Sequence, residues 1–148
     1  MPKKPYIVGV DPGVHTGIGI LQREGDKVLH WCTRDFYTTQ TYLANTFQDR
    51  SQCTIFVEVP KGFMYNRNDM SEDKIRDRRM LNIGGVQREA KLLAGSLSRM
   101  GFEVHEVAPV QEKKWDQQRF ELFARCKRRA SEHERDAVRL AFYYANKK

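Results

Sequence analysis

The beginning of the chain carries three apolar segments separated by short turns, and this pattern constrains the possible folds more than any other feature of the sequence. The β-branched run at residues 6–10 stops at Asp11-Pro12-Gly13, a strong turn signal. Residues 17–21 and 28–33 predict two further strands, with a turn at residues 24–27 between them. We therefore expect an antiparallel meander of three strands.

Helix and strand patterns alternate in the rest of the chain. Residues 38–50 have helical composition, and residues 54–59 predict a buried strand closed by Pro60. Residues 61–79 are polar with little periodicity and are predicted to form the most mobile loop. A helix after this loop is predicted from apolar residues at helical spacing, up to Gly101. These residues are Ile83, Val86, Ala90, Leu93, Ala94 and Leu97.

A predicted strand at residues 102–107 leads into a helical last third. Ser131 and Glu134 form a capping box, which predicts a helix from about residue 132 to about residue 145. The resulting order, β-β-β-α-β-α-β-α-α, predicts an α/β fold with a mixed five-stranded sheet, antiparallel in its first three strands and flanked by helices. The length of 148 residues fits one domain spanning residues 1–148.

The charge and the cysteines narrow the functional class. The net charge of +7 favours a polyanionic partner, nucleic acid ahead of a membrane, although plain solubility charge is the alternative. The 3 cysteines, Cys32, Cys53 and Cys126, have neither zinc-ligand spacing nor the pattern of a disulfide framework, so we expect reduced thiols in a cytoplasmic protein. No apolar run approaches the roughly 18 residues of a membrane-spanning helix, so we expect no membrane association.

Three acidic residues occur in apolar surroundings, where a carboxylate is costly unless it is paired, protonated or bound to a cation. Asp11 ends the first strand, Glu58 lies inside an apolar strand, and Asp136 has apolar neighbours in the last helix. Taken singly, each has an ordinary alternative, because Asp11 suits a turn, Glu58 suits an edge strand facing solvent, and Asp136 suits a surface. Together they predict a site for hard divalent cations, which prefer oxygen ligands.

Two such ions about 4 Å apart fit phosphodiester hydrolysis, because one activates a water and the other stabilises the leaving oxygen. Glycines around Asp11 would let a phosphate backbone approach closely, although they are also ordinary turn residues. They are Gly9, Gly13, Gly17 and Gly19.

The same segments resemble RuvC-type Holliday-junction resolvases. Residues 9–13 with Thr16-Gly17 resemble the opening strand and turn of that family, and Glu58 is similar to its second carboxylate. Residues 84–90 resemble its long helix, and Ala108-Pro109 with Lys113 resemble the Pro-x-x-x-Lys after its next strand. Residues 133–137 match a terminal-helix motif in which Asp or His stands three residues before the last catalytic Asp.

The resemblance implies an RNase H-like fold, a homodimer, two Mg²⁺ ions for which Mn²⁺ can substitute, and paired cuts across a four-way junction. It makes Asp11, Glu58 and Asp136 metal ligands. His133 would ligate metal or orient the attacking water, with an exposed histidine in the first helical turn as the alternative. Lys113 would stabilise the phosphorane-like transition state. The compact size is similar to phage-encoded relatives, so the expected location is a bacterial or phage-infected cell.

Basic residues with interleaved aromatics predict a DNA-binding surface, because phosphate contacts supply affinity without reading sequence. RuvC-type enzymes use an aromatic after the second carboxylate to open the junction, and Phe63 and Tyr65 are the candidates. For residues 127–129 a solvated helix face is an equal alternative, while Trp31 and Trp115 are predicted to pack inside the protein. The predicted DNA-binding residues are Lys61, Phe63, Tyr65, Arg67, Arg76, Arg79, Lys113, Lys114, Lys127, Arg128 and Arg129.

Two rival functions stay open, and a third is excluded on sequence grounds. A nuclease acting on RNA–DNA hybrid or RNA would share the fold and the metal site. A catalytically inactive junction-binding module would bind branched DNA without cutting it. An actin-like or sugar-kinase ATPase also has an Asp-x-Gly turn after its first strand, but it needs a duplicated domain that 148 residues do not supply.

Overall fold

The computed structural model describes residues 3–60 and 73–147, with the backbone alone for residues 73–83. The predicted DNA-binding residues Lys61, Phe63, Tyr65 and Arg67 therefore lie outside the described residues, as do the side chains of Arg76 and Arg79.

The described residues form five strands and four α-helices in the predicted order. The strands are β1 (Tyr6–Asp11), β2 (Thr16–Gln22), β3 (Lys27–Arg34), β4 (Cys53–Glu58) and β5 (Glu103–Val107). The helices are α1 (Phe36–Thr46), α2 (Asp73–Arg99), α3 (Gln117–Ala124) and α4 (Glu132–Asn146).

The strands form one mixed sheet in the order β3-β2-β1-β4-β5. The first three strands are antiparallel neighbours, whereas β4 runs parallel to β1 and β5 runs parallel to β4. This arrangement confirms the predicted α/β fold with a mixed five-stranded sheet flanked by helices. Because β1 is the third of the five strands in this order, Asp11 at its carboxyl end lies near the middle of that end of the sheet.

Two helices begin earlier than predicted, each for a local reason. Helix α1 starts at Phe36 because the Asp35 side chain accepts a hydrogen bond from the Thr38 backbone N–H at 2.7 Å, which caps the helix. Helix α2 includes residues 73–79, which we predicted to be loop. Four of these seven residues are Lys or Arg, which favour helix even without apolar periodicity, and the prediction relied on periodicity alone. No helix among the described residues is long and apolar enough to cross a bilayer.

The two faces of the sheet carry separate apolar clusters. On one face, side chains of β1, β2 and β4 pack against α1 and α2, and this cluster includes Val8, Val10, Ile55 and Leu93. On the other face, the strands pack against α3 and α4. Trp31 lies in this second cluster at 4% exposure, and Trp115 packs against Phe123 with ring centroids 4.7 Å apart. Both tryptophans are therefore packing residues, as predicted.

Helix α4 lies directly on the backbone of β1 and β2 because glycines occupy the positions under it. A side chain at Gly9 would overlap the Ala137 carbonyl oxygen, and one at Gly17 would overlap the His133 carbonyl oxygen. A Cβ at Gly19 would lie 2.6 Å from Val138 Cγ2 and 2.8 Å from the Val138 nitrogen. These three glycines serve helix packing rather than the predicted approach of a phosphate backbone. Only Gly13, whose added Cβ would have ordinary contacts, keeps the predicted openness.

The glycine contacts predict a large stability cost for a single methyl group. Gly19→Ala should lower the free energy of unfolding by about 1–3 kcal/mol, because the added methyl group overpacks against Val138. Urea unfolding followed by circular dichroism measures this change. Gly84→Ala in α2 is the matched control, since nothing lies within 4 Å of its added Cβ. It should leave stability unchanged or raise it by up to about 1 kcal/mol. Equal effects of the two substitutions would contradict the packing role of Gly19.

Candidate active site

Asp11 and Glu58 are brought side by side by the sheet. Strands β1 and β4 are parallel with Val10 opposite Val57, so the next residues along, Asp11 and Glu58, are neighbours at the carboxyl end of both strands. Side chains alternate between the two faces of a strand, and Ile7 and Phe56 both belong to the cluster under α4. Asp11 and Glu58 therefore face the side of the sheet that α4 covers.

Helix α4 supplies the other two predicted site residues. Its start is defined by the predicted capping box, in which the Ser131 hydroxyl accepts from the Glu134 N–H and the Glu134 carboxylate accepts from the Ser131 N–H. His133 and Asp136 follow one turn apart, on the same side of the helix. The His133 Nδ1 lies 3.2 Å from the Asp11 Oδ2. Protonated at Nδ1, the ring donates to Asp11 and keeps Nε2 as an acceptor.

The three carboxylates are close enough to act on one another electrostatically, and burial removes most of their water. Asp136 is 9% exposed, and the side chain of Asp11 is 15% exposed. Burial raises the pKa of Glu58 to about 7, and the charges of Asp11 and Asp136 add to this increase. Burial also raises the pKa of Asp11. The charge of Asp136 adds to this increase, whereas the hydrogen bond from His133 opposes it. The structure thus concentrates negative charge that the protein itself only partly balances.

This charge balance tests whether the residues suit divalent cations. Carboxylate oxygens from three elements, with an imidazole beside them, are ligands that Mg²⁺ and Mn²⁺ accept. A cation would relieve both the desolvation and the mutual repulsion that raise the pKa values of Asp11 and Glu58. As they are placed, no three His, Cys, Asp or Glu side chains among the described residues form a ready-made coordination group. The three carboxylates and the imidazole are suitable ligand types for Mg²⁺ and Mn²⁺, and metal binding would require their side chains to rearrange.

A lysine lies on one of these carboxylates. The Lys114 Nζ is 3.3 Å from the Asp136 Oδ2 and 2.9 Å from the Glu132 Oε1. Lys113, which the sequence resemblance assigned to the scissile phosphate, is exposed and makes no ion pair among the described residues. The structure therefore brings Lys114, rather than Lys113, to the carboxylates.

The segment that carries both lysines, residues 108–116, is held against α4 through its carbonyl oxygens, and we call it the lysine loop. Tyr144 donates its hydroxyl to the Ala108 carbonyl at 2.6 Å, and the Arg135 Nε donates to the Trp115 carbonyl at 3.0 Å. Between them, the Arg139 Nη1 donates to the Glu112 carbonyl at 2.9 Å. The loop thus follows α4 past the carboxylates.

Sequence reasoning did not identify Arg139, although a signal for it was present. Arg139 lies between Val138 and Leu140 in the buried part of α4 and is 7% exposed itself. A charged residue inside an apolar helical stretch is the same signal that identified Glu58 in its strand.

The described residues of the predicted basic surface are all exposed, and one of them also packs on a tryptophan. Lys113, Lys114, Lys127 and Arg129 are exposed. Arg128 is exposed as well, and its guanidinium lies 4.5 Å from the ring centroid of Trp31 and donates to the Trp31 carbonyl at 2.9 Å. Arg128 therefore also contributes to packing within the protein, and its phosphate contact stays a prediction.

Two clefts differ in their relation to this site. A cleft of about 400 Å³ is lined by Lys113, Lys114 and Arg119 together with the acids Glu112 and Asp116, and one of these residues, Lys114, contacts Asp136. A second, of about 410 Å³, is lined by His30, Tyr42 and Phe47 near α1, on the other face of the sheet. Of the two, only the first is lined by a residue, Lys114, that contacts one of the three site carboxylates, and its two lysines and one arginine outnumber its two acids.

Comparison with known proteins supports the fold. No family model and no curated protein sequence matches the chain. Among solved structures, it is similar to Thermus thermophilus RuvC in complex with a Holliday junction substrate, at 17% identity and a TM-score of 0.58, covering 95% of this chain and 92% of that one. A second T. thermophilus RuvC structure gives 18% identity and a TM-score of 0.57, covering 95% and 93%. The chain therefore has the RNase H-like fold that the resemblance implied.

The raised pKa of Glu58 predicts how stability depends on pH without divalent ions. The folded protein holds a proton on Glu58 up to about pH 7, whereas the unfolded chain releases it near the ordinary glutamate pKa of 4.5. The native state binds more protons between these values, so stability should fall as the pH rises through them. After allowance for solvent screening, the loss is about 1–2 kcal/mol. Thermal unfolding at several pH values measures it.

Glu58→Gln is the control for this prediction, because the amide does not titrate. The substituted protein should lack the part of the pH dependence that Glu58 causes, and Mg²⁺ should stabilise the unsubstituted protein more at pH 8 than at pH 5. The same slope in both proteins would mean that Glu58 titrates normally.

Proposed function

We propose that this protein is a metal-dependent endonuclease that cleaves Holliday junctions or other branched DNA by phosphodiester hydrolysis. The observation that carries the proposal is the convergence of Asp11, Glu58 and Asp136, from β1, β4 and α4, with raised pKa values at Asp11 and Glu58. Folding brings like charges together at a cost in stability, and hydrolysis of a phosphodiester gives this arrangement a use.

Asp11, Glu58 and Asp136 would hold two Mg²⁺ ions, for which Mn²⁺ can substitute, and His133 would either ligate a metal or orient the attacking water. When bound, the ions supply a water activated at neutral pH and stabilisation of the leaving oxygen. His133 holds Asp11 through Nδ1, and its ring is half exposed, so Nε2 can accept a proton from the attacking water. Lys113 and Lys114 border the adjoining cleft, where an ammonium group stabilises the charge on the phosphate.

Branched DNA is proposed as the substrate on two grounds. The net charge is +7, and the exposed Lys114 contacts Asp136, next in the chain to the exposed Lys113. The structural neighbour of matching length binds a Holliday junction substrate. We further propose a homodimer, since two cuts across a junction need two sites. Lys127 and Arg129 would contact the DNA backbone, and Phe63 or Tyr65 would open the junction.

Asp11→Asn should abolish cleavage and spare junction binding, because it weakens the metal site without changing the basic surface. The expected fall in the cleavage rate is at least about 1000-fold. Labelled four-way junction, linear duplex, flap and RNA–DNA hybrid are incubated with and without Mg²⁺, and binding is measured in Ca²⁺. Glu106→Gln, an exposed acid on β5, is the matched control and should cut normally.

Each other outcome of this assay identifies a rival. Preferential cutting of the hybrid would assign the site to RNA–DNA substrates. Junction binding with no cutting under any divalent ion would indicate an inactive binding module. Cutting by Asp11→Asn at the unsubstituted rate would remove Asp11 from the site.

The two neighbouring lysines should differ in effect. Lys114→Ala should lower kcat by about tenfold to 100-fold, because Lys114 contacts Asp136. Lys113→Ala removes the same surface charge without that contact and should lower kcat less. Single-turnover cleavage of a four-way junction measures both. A larger loss in Lys113→Ala would show that the lysine assigned by the sequence resemblance is the one that acts.

A further inference from the structure

Arg139 differs from the two other side chains that hold the lysine loop. Tyr144 and Arg135 contact the two ends of the loop, whereas Arg139 contacts its middle, at the Glu112 carbonyl. Glu112 immediately precedes Lys113 and Lys114, and Trp115 immediately follows them, so the hydrogen bonds of Arg139 and Arg135 flank the two lysines. The guanidinium is also near enough to Glu58 for its charge to act on that carboxylate.

The cost of burying Arg139 indicates that it has a function. It is 7% exposed, and its Nε is buried without a hydrogen-bond partner among the described residues. A guanidinium does not lose its charge, and a buried N–H without an acceptor is unfavourable. An apolar residue between Val138 and Leu140 would pack at lower cost. The uncompensated N–H indicates that the working site supplies an oxygen there.

We propose that Arg139 is a positioning residue of the carboxylate site, which fixes the lysine loop at Glu112 and places a permanent positive charge beside Glu58. The inference rests on the proposed function, because it assigns Arg139 to that site. Through the loop, Arg139 sets where Lys113 and Lys114 stand. Through its charge, it balances part of the carboxylate cluster and moderates the affinity for divalent ions. Its Nε–H is the donor for an oxygen of Glu58 or of a water beside it.

Measurement of Mg²⁺ affinity distinguishes the effect of the Arg139 charge from the effect of its packing. Mg²⁺ is titrated calorimetrically into the DNA-free protein and into three variants: Arg139→Gln, Arg139→Lys and Tyr144→Phe. Removing the charge in Arg139→Gln should tighten Mg²⁺ binding by at least about threefold, because a unit positive charge repels a divalent ion even where water screens the interaction strongly. Arg139→Lys keeps the charge, and Tyr144→Phe removes a loop hydrogen bond without changing charge. Both should bind Mg²⁺ like the unsubstituted protein.

Hydrogen exchange tests the loop. Amides of residues 111–115 should exchange at least about tenfold faster in Arg139→Gln than in the unsubstituted protein. Arg139→Lys should give a smaller increase at the same amides, and Tyr144→Phe should act chiefly near Ala108, where its hydrogen bond lies. A general loss of packing would instead speed exchange throughout α4.

Cleavage kinetics complete the test. Arg139→Gln should lower kcat by at least about tenfold with little change in KM, since the basic surface is intact, and Arg139→Lys should restore part of the loss. In a double variant, the effects of Arg139→Gln and Lys114→Ala on kcat should be less than additive, because both substitutions act through Lys114.

Two results would overturn the inference. One is an Arg139→Gln protein with a lower Tm but unchanged Mg²⁺ affinity, loop exchange and kcat. If Arg139→Gln does not fold, the other is an Arg139→Lys protein whose loop exchanges like that of the unsubstituted protein. Mg²⁺ affinity and exchange are measured without DNA, so a protein that cuts no junction would refute the proposed function without deciding the role of Arg139.

Discussion

The close contact between α4 and the glycine positions of β1 and β2 determines the geometry of the rest of the site. Gly9, Gly17 and Gly19 leave no side chains between helix and sheet, so the helix backbone rests on the strands. Only at this short distance does the Nδ1 of His133 reach Asp11 at 3.2 Å. Larger residues at these positions would lift α4 by the thickness of a side chain and separate its acids from those of the sheet.

The same contact creates an electrostatic cost. Burial raises the pKa values of Asp11 and Glu58, and Asp136 adds its charge to both. The protein balances part of this charge with three cationic or ionisable groups, each from α4 or the loop beside it. His133 contacts Asp11, Lys114 contacts Asp136, and Arg139 acts on Glu58. Functional sites commonly contain groups that lower the stability of the folded protein.

Sequence patterns predicted what depends on local chemistry. The order of strands and helices, the capping box that starts α4 and the packing roles of both tryptophans are all confirmed. Helix ends were less accurate, because the cap at Asp35 and the propensity of residues 73–79 were given less weight than periodicity. The glycines around Asp11 were assigned to a ligand, since a sequence does not show which neighbour occupies the space that a missing side chain leaves.

By itself, the sequence determined the elements and the unusual placement of Asp11, Glu58 and Asp136, because strand alternation, helical periodicity and capping depend on residues a few positions apart. Only the tertiary structure decided which lysine contacts a carboxylate, that Arg128 packs on Trp31, and that Arg139 holds the lysine loop. These contacts join residues far apart in the chain or depend on the course of an irregular loop. The approach of α4 to the sheet sets them, and no local pattern encodes it.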